Sequence, residues 1–208
     1  MLFGGIQKFS LCDYPGTTAA VLFTRGCNFR CPFCHNGGLL ESGKQGNGPG
    51  EKDIFTFLEK RAGLLDGVVI SGGEPTLQPD LVDFCRRVRG LGFQVKLDTN
   101  GSRPEVLKQL LTDKLVDFIA MDIKATFARY HCLAGVPVDV DLVAQSITFL
   151  ARADIPVLFR TTWVDGLHAD EERELIPAML PENSNHIFQP FNPEHALEPD
   201  RCTICDHH

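Results

Sequence analysis

The stretch RGCNFRCPFCHN, residues 25–36, holds three cysteines, Cys27, Cys31 and Cys34, at a C-x3-C-x2-C spacing. A closed tetrahedral zinc site or a complete four-iron cluster takes four protein ligands, so this stretch supplies one too few. Zinc with His35 as a fourth ligand is the alternative, but zinc ligands usually come as two separated pairs. The spacing therefore favours an iron–sulfur cluster with one iron open to a substrate or cofactor.

The composition of the chain restricts its partners. The 208 residues are 43% hydrophobic and carry a net charge of −7, without a run of lysine or arginine. Such a chain can bury one sizeable core but lacks the basic surface that nucleic acids and anionic membranes attract. The sequence shows no basic leader and no long apolar run, and its eight cysteines suit metal ligands and buried thiols better than disulfides. We expect a cytoplasmic, single-domain protein.

Short β-rich runs alternate with stretches of helical periodicity. The six predicted strands are residues 19–24, 67–71, 93–97, 116–123, 156–163 and 186–191. Between them, apolar residues recur at helical spacing, as at Ile54, Phe57 and Leu58. Repeated strand–helix units with right-handed crossovers form a parallel sheet, and six units predict an open, partial (β/α)6 barrel. A doubly wound sheet is the alternative.

Unusual polar groups follow the strands at their carboxyl ends, which is the ligand-binding edge of parallel α/β sheets. The cysteine motif follows the first predicted strand. Later strands are followed or closed by SGGEPT (71–76), DTNG (98–101), DIK (122–124), RTTWVDG (160–166) and QPF (189–191). Side-chain alternation also places Lys96 and Asp98 on one face of their strand. The sequence therefore predicts a polar lumen that opens at this edge.

The cysteine motif and the glycines of the next strand together resemble the radical S-adenosylmethionine (SAM) superfamily. The motif is C-x3-C-x-Φ-C with Phe33 as Φ, followed by Gly72-Gly73-Glu74. The resemblance implies that SAM chelates the open iron and that its reductive cleavage gives a 5′-deoxyadenosyl radical, which abstracts hydrogen. It assigns Gly72, Gly73 and Glu74 to the SAM amino group and Phe33 to a position against the adenine. A tight turn at the glycines and core packing of Phe33 are the plainer interpretations.

Further motifs resemble the glycyl radical enzyme activases, in particular the anaerobic ribonucleoside-triphosphate reductase activating proteins, over about residues 4–195. These motifs are DYPG (13–16), GCNFRCPFCHN (26–36), SGGEPTLQPDL (71–81), LDTNG (97–101), MDIK (121–124) and RTTWVDGLH (160–168). The resemblance implies that Asp98, Thr99 and Asp122 hold the SAM carboxylate, in some relatives through a monovalent cation, with Lys124 as a further contact. Arg160 would steer SAM or the incoming glycine loop, and a solvated sheet edge is the alternative for it.

The resulting hypothesis is an activase that takes a Cα hydrogen from a glycine of a large glycyl radical enzyme. Anaerobic ribonucleoside-triphosphate reductase is the expected partner, and a flavodoxin or ferredoxin-type protein is the expected electron donor. The alternatives are a pyruvate formate-lyase-type partner, a small-molecule synthase similar to 7-carboxy-7-deazaguanine synthase, and an iron–sulfur electron carrier. One cluster is expected, because no cysteine lies between Cys34 and Gly72.

Several residues remain outside this hypothesis. His168 is predicted to be a solvated loop histidine, with SAM contact as the alternative. Three isolated cysteines, Cys12, Cys85 and Cys132, are predicted to be buried thiols.

The segments at the margins of the predicted domain, residues 1–195, carry few structural signals. Residues 41–50 are expected to form a flexible surface loop and residues 196–208 a mobile tail. A second metal site in the tail is the alternative, because Cys202, Cys205, His207 and His208 have ligand-type spacing.

Overall fold

The computed structural model describes residues 1–40 and 48–202, and its centre is a seven-stranded sheet whose order follows the chain. The strands are β1 (Phe3–Ser10), β2 (Ala19–Thr24), β3 (Gly67–Gly72), β4 (Gln94–Thr99), β5 (Phe118–Asp122), β6 (Val157–Trp163) and β7 (His186–Pro190). β1 pairs antiparallel with β2, and every later pairing is parallel. Within the described residues β1 and β7 are the two edges, so the sheet is not closed.

Helices connect the parallel strands. They are α1 (Glu51–Glu59), α2 (Leu81–Gly90), α3 (Pro104–Thr112), α4 (Tyr130–Ala134), α5 (Val140–Leu150) and α6 (Glu172–Ala178). Local sequence fixes their starts: Pro104 occupies the first position of α3, and the Asp139 side chain accepts a hydrogen bond from the Asp141 N–H before α5. None of the helices in the described ranges is long and apolar enough to cross a membrane.

The order of the strands confirms the partial barrel, because neighbouring strands in the sheet are also neighbours in the chain. A doubly wound sheet is excluded, since its strand order reverses at one point. Alternate side chains of each strand pack outward against the helices, as Leu22 does in the main core. Their neighbours face the other side, where Tyr14, Ala19, Val21 and Val69 form a small separate cluster. The helices thus cover one face of the sheet and leave the other as a concave lumen.

The strand β1 was not predicted from the sequence. The six predicted strands are confirmed with ends within two residues, but Phe3–Ser10 adds a seventh, antiparallel strand. Its sequence FGGIQKFS combines two glycines with polar residues and buries only Phe3 and Ser10. An edge strand of this kind lacks the continuous apolar run that marks a buried parallel strand.

The segment after residue 195 packs against the cysteine loop as far as Cys202, so this part differs from the mobile tail that we expected. Leu197 N–H donates to the Cys34 carbonyl (3.0 Å) and Glu198 N–H to the Pro32 carbonyl (2.8 Å). Cys202 is 2% exposed. Cys205, His207 and His208 lie outside the described residues, as do residues 41–47 of the predicted surface loop.

The isolated cysteines divide into two groups. Cys85 is fully buried on α2, as predicted. Cys12 and Cys132 are exposed, so their assignment as buried thiols was wrong. Cys12 follows the edge strand β1, and Cys132 lies on the short helix α4.

Candidate active site

A pocket at the carboxyl-terminal edge of the parallel strands brings together all twelve residues that the sequence predicts for the site. They are Cys27, Cys31, Phe33, Cys34, Gly72, Gly73, Glu74, Asp98, Thr99, Asp122, Lys124 and Arg160. These residues come from five loops or strand ends that are far apart in the chain. Their convergence follows from the parallel sheet, whose strands all end at the same edge.

The cysteine loop follows β2 and is held by backbone hydrogen bonds. Cys34 N–H donates to the Cys31 carbonyl (3.0 Å), and Arg30 N–H donates to the Ala134 carbonyl (2.8 Å) at the end of α4. Gly135 permits this approach, because a Cβ there would lie 2.1 Å from the Arg30 carbonyl oxygen. The loop thereby presents three thiols to the pocket, with Cys31 buried and the other two half-buried.

These thiols suit a polynuclear cluster better than a single ion. No three histidine, cysteine or acidic side chains in the described part of the chain lie close enough to hold one metal ion. His35, the fourth ligand of the zinc alternative, is engaged elsewhere, because its Nε2 lies 2.7 Å from the Asn192 carbonyl and its ring stacks on Phe191. Burial raises the pKa of Cys27 to about 11 and that of Cys31 to about 12. Metal binding would displace these protons, because the thiolate is the ligand.

The two glycines after β3 allow this loop to touch the cysteine loop. Gly72 has φ +112°, a conformation that side chains disfavour, and a Cβ on Gly73 would lie 2.1 Å from the Gly26 carbonyl oxygen. Gly73 N–H donates to the Thr24 carbonyl (2.9 Å). The close approach leaves backbone, rather than side chains, at this wall of the pocket.

The Glu74 carboxylate ties the loops after β3 and β4 together. It is 1% exposed and accepts hydrogen bonds from Thr76 N–H (3.0 Å), Thr76 Oγ1 (2.5 Å), Thr99 Oγ1 (2.8 Å) and Asn100 N–H (2.7 Å). Burial raises the pKa of Glu74, although these donors oppose the rise. Both Glu74 and Thr99 therefore direct their side chains into the loop network in this structure.

Five charged side chains alternate in sign along the lumen. Lys96 Nζ lies 2.6 Å from Asp98 Oδ1, and Arg160 Nη1 lies 3.7 Å from Asp98 Oδ2. Arg160 also binds Asp122 Oδ1 through Nη2 (2.8 Å), and Lys124 Nζ lies 3.1 Å from Asp122 Oδ2. The solvated-edge alternative for Arg160 is wrong, since its side chain is only 16% exposed. Of the three cations in this network, Lys124 and Arg160 line the pocket, and they can attract an anion there.

Electrostatics keep Asp122, Lys124 and Arg160 ionised. Burial opposes the charge of Asp122, but the neighbouring Arg160 and Lys124 outweigh burial and lower its pKa to about 2. Burial likewise opposes the charge of Lys124 and of Arg160, yet the carboxylate of Asp122 raises both pKa values above their usual range.

His168 is buried and is not the solvated residue that we expected. It is 6% exposed, and its ring stacks on Trp163 with centroids 4.7 Å apart. Val164 N–H donates to Nδ1 (3.1 Å), so the proton lies on Nε2, which is 2.9 Å from the Lys124 carbonyl. Burial lowers the pKa of His168. The residue therefore supports the backbone of Lys124, and through it the wall of the pocket.

Further pocket residues were not singled out from the sequence. Ser71 Oγ donates to Asp98 Oδ2 (3.0 Å), and Asn36 Nδ2 donates to the Gly72 carbonyl (3.1 Å). Asn100 lies between Glu74 and the cysteine loop. Their positions inside quoted motifs, SGGE, CHN and DTNG, were the available signal. Phe33 is 4% exposed and lies beneath Lys124, whose Nζ is 5.8 Å from the ring centre.

Comparison with known proteins identifies the family. The model of the Radical SAM superfamily matches residues 21–176. The chain belongs to this superfamily. The protein is therefore a radical SAM enzyme, and membership of the superfamily implies a 4Fe–4S cluster and SAM as its cofactors. The solved structure of Streptococcus suis SuiB bound to SAM has a TM-score of 0.63 and covers 83% of this chain and 42% of that chain. At 16% identity, this likeness shows the fold alone.

Curated relatives differ in how much of the chain they match. The "Putative glycyl-radical enzyme activating enzyme MJ1227" of Methanocaldococcus jannaschii is 34% identical over 95% of this radical SAM chain and 82% of its own. The pyruvate formate-lyase-activating enzyme of Listeria monocytogenes is 33% identical over 61% of this chain and 54% of its own. The "Probable GTP 3′,8-cyclase" of Pyrococcus abyssi is 28% identical over 78% and 52%. The chain thus spans about half the length of the latter two.

Proposed function

We propose that this radical SAM enzyme is a glycyl radical enzyme activase, which takes a Cα hydrogen from a glycine of a partner enzyme. One observation carries the proposal: similarity to a protein named as such an activating enzyme runs along 95% of this chain and 82% of the relative. An activase of the pyruvate formate-lyase type is a second similar protein. The partially open sheet supports the proposal, because a backbone glycine must reach the pocket from outside.

The cysteine loop would hold the cluster through Cys27, Cys31 and Cys34. When bound, the reduced cluster would supply the one electron that cleaves SAM into methionine and a 5′-deoxyadenosyl radical. The protein's part is to position these groups and to exclude water. Buried Phe33 provides an apolar wall, and the glycine pair Gly72-Gly73 brings bare backbone to the pocket, where a carbonyl oxygen can accept from the SAM amino group.

The charged network would bind the SAM carboxylate. Lys124 and Arg160 supply positive charge at the pocket, while Asp98 and Asp122 hold these cations in place. Glu74 and Thr99 would contribute indirectly, because their hydrogen bond fixes the loops that carry the site. A monovalent cation beside the SAM carboxylate does not fit this network. Both aspartates already pair with lysine or arginine, so an added cation would be repelled by three positive side chains.

Within this function, the proposed partner is anaerobic ribonucleoside-triphosphate reductase, and a pyruvate formate-lyase-type enzyme is the alternative. A flavodoxin or ferredoxin-type protein would donate the electron. The motif resemblance supports both partners, and the motifs DYPG (13–16) and CHN (34–36) favour an activase.

A small-molecule reaction is the second candidate. It is supported by the similarity to a protein named as a probable GTP cyclase, which covers 78% of this chain. The side chains of Lys124 and Arg160, which line the pocket, would also suit a phosphate-bearing substrate. The activase is preferred because its relative matches more of both chains at higher identity.

The test compares the two classes of substrate directly. The enzyme is reconstituted with iron and sulfide without oxygen, and 5′-deoxyadenosine is measured with reductant and SAM alone, with each glycyl radical enzyme of the same genome, and with GTP. We expect slow formation alone, faster formation with one glycyl radical enzyme, and a doublet glycyl signal in that enzyme by electron paramagnetic resonance. Stimulation by GTP while every glycyl radical enzyme stays silent would overturn the proposal.

A further inference from the structure

Asn100 lies where the loop after β4 meets the cysteine loop, and it is 6% exposed. Its backbone N–H donates to Glu74 Oε2 (2.7 Å), and its Oδ1 accepts from Ser102 N–H (3.0 Å). Its Nδ2 donates to Asn28 Oδ1 (2.9 Å), and Asn28 Nδ2 donates to Ser102 Oγ (2.9 Å). Because Oδ1 must face a backbone N–H, this ring of hydrogen bonds fixes which side of the amide carries the donors.

The donor side of this amide faces a cysteine of the motif. Asn100 Nδ2 lies 4.0 Å from Cys27 Sγ, which is at the long end for a sulfur acceptor. Phe29 N–H donates to the same sulfur at 3.3 Å. Within the described ranges, no comparable N–H donor reaches the sulfur of Cys31 or Cys34. Cys27 therefore differs from the other two cysteines in the hydrogen bonds available to its sulfur.

Donors to a ligating sulfur withdraw electron density from the cluster and favour its reduced state, so they raise the reduction potential. We propose that Asn100 positions Cys27 and raises the reduction potential of the cluster through its Nδ2 contact with the sulfur. The proposal depends on membership of the radical SAM superfamily and on these hydrogen bonds. It does not depend on which substrate the enzyme acts upon.

Three variants separate the contact from general packing. Asn100→Ala removes the amide, whereas Asn100→Ser removes the N–H donor without adding charge and keeps an oxygen that can accept from Ser102 N–H. Asn28→Ala is the matched control, since it removes a neighbour in the same ring but leaves the Asn100 donor to Cys27. The midpoint potential of each reconstituted protein is measured by a redox titration monitored by electron paramagnetic resonance, without SAM or partner.

We expect both Asn100 variants to bind the same amount of iron as the wild type and to be harder to reduce. The shift should reach up to about a tenfold change in the ratio of oxidised to reduced cluster, or about 59 mV for one electron. Asn28→Ala should stay at the wild-type potential.

Wild-type potentials in both Asn100 variants would overturn the proposal. An equal fall in Asn28→Ala would also overturn it, because the effect would then come from loop packing. Loss of the cluster from both Asn100 variants counts against it as well, since tuning requires a cluster that assembles without Asn100. The potentials are measured without a partner, so they would be the same if no glycyl radical enzyme were activated. Failure of the proposed function can therefore be told apart from failure of this proposal.

Discussion

Arg160 holds one carboxylate oxygen of Asp122 with two nitrogen atoms: Nε and Nη2 lie 2.9 and 2.8 Å from Oδ1. The two residues are directly paired in the register of β5 and β6. The second oxygen of Asp122 remains for Lys124 Nζ at 3.1 Å. The parallel sheet thus fixes a cation at the pocket by placing its partner on the neighbouring strand.

Replacing Arg160 should weaken SAM binding without removing iron. Arg160→Met deletes one cation of the network and leaves Asp98 and Asp122 with less compensation. A charged hydrogen bond contributes about 1.5–3 kcal/mol, so the Kd of the cluster-loaded protein for SAM should rise about 10–100-fold. Anaerobic equilibrium dialysis measures this, with the exposed Arg152→Met as control. An unchanged Kd would show that the network does not bind SAM.

The cysteine assignment predicts a sharp difference between two buried thiols. Cys31→Ala should abolish both bound iron and SAM cleavage, because it removes one of three ligands. Cys85→Ala should retain both, since Cys85 packs on α2 away from the pocket. Iron analysis and anaerobic absorption spectra of the reconstituted proteins report the result. A SAM-cleaving four-iron cluster in Cys31→Ala would refute the ligand set.

The contact between the two loops predicts that Gly73 tolerates no side chain. An added Cβ would lie 2.1 Å from the Gly26 carbonyl oxygen, so Gly73→Ala should lower the free energy of unfolding by about 1–3 kcal/mol. Gly90→Ala is the matched control at the end of α2, where nothing lies within 4 Å of an added Cβ. Urea denaturation of both variants checks this. Equal stability of the two would mean that the loops do not meet in this way.

The buried His168 predicts a pH dependence of stability. Because burial lowers its pKa below the usual 6.5, the unfolded chain takes up a proton at a pH where the folded protein resists it. This contribution to stability is complete above about pH 6.5 and is lost as the pH falls below it, by up to about 1.4 kcal/mol per pH unit. His168→Gln should make that part of the curve less steep, although His186, whose pKa burial also lowers, still contributes, and the exposed His131→Gln serves as the control. Urea denaturation of the cluster-free protein from about pH 5.5 to 7.5 measures the slopes, and parallel curves for wild type and His168→Gln would contradict the assignment.

The sequence was sufficient for much of the architecture. Buried parallel strands such as β3 appear as continuous apolar runs, and the polar groups after them must meet at one edge. β1 could not be recognised in this way, because it is a glycine-containing edge strand with two buried residues.

The orientation of individual side chains depended on contacts between distant loops. Glu74 belongs to a recognisable motif, yet its carboxylate faces Thr99 and Asn100, which lie at the end of a different strand. His168 lies in a polar loop, but Trp163 and the backbone of Lys124 enclose it. Neither arrangement follows from local periodicity, since each requires the three-dimensional meeting of separate segments.

The most direct measurement follows the hydrogen atom itself. The proposed partner is produced with glycine deuterated at Cα and mixed anaerobically with the reconstituted enzyme, reductant and SAM, and the 5′-deoxyadenosine is analysed by mass spectrometry. We expect one deuterium in 5′-deoxyadenosine together with a glycyl radical on the partner, both abolished when the partner's glycine is replaced by alanine. The activase function would be contradicted if 5′-deoxyadenosine stayed unlabelled and no radical formed with any glycyl radical enzyme of the genome.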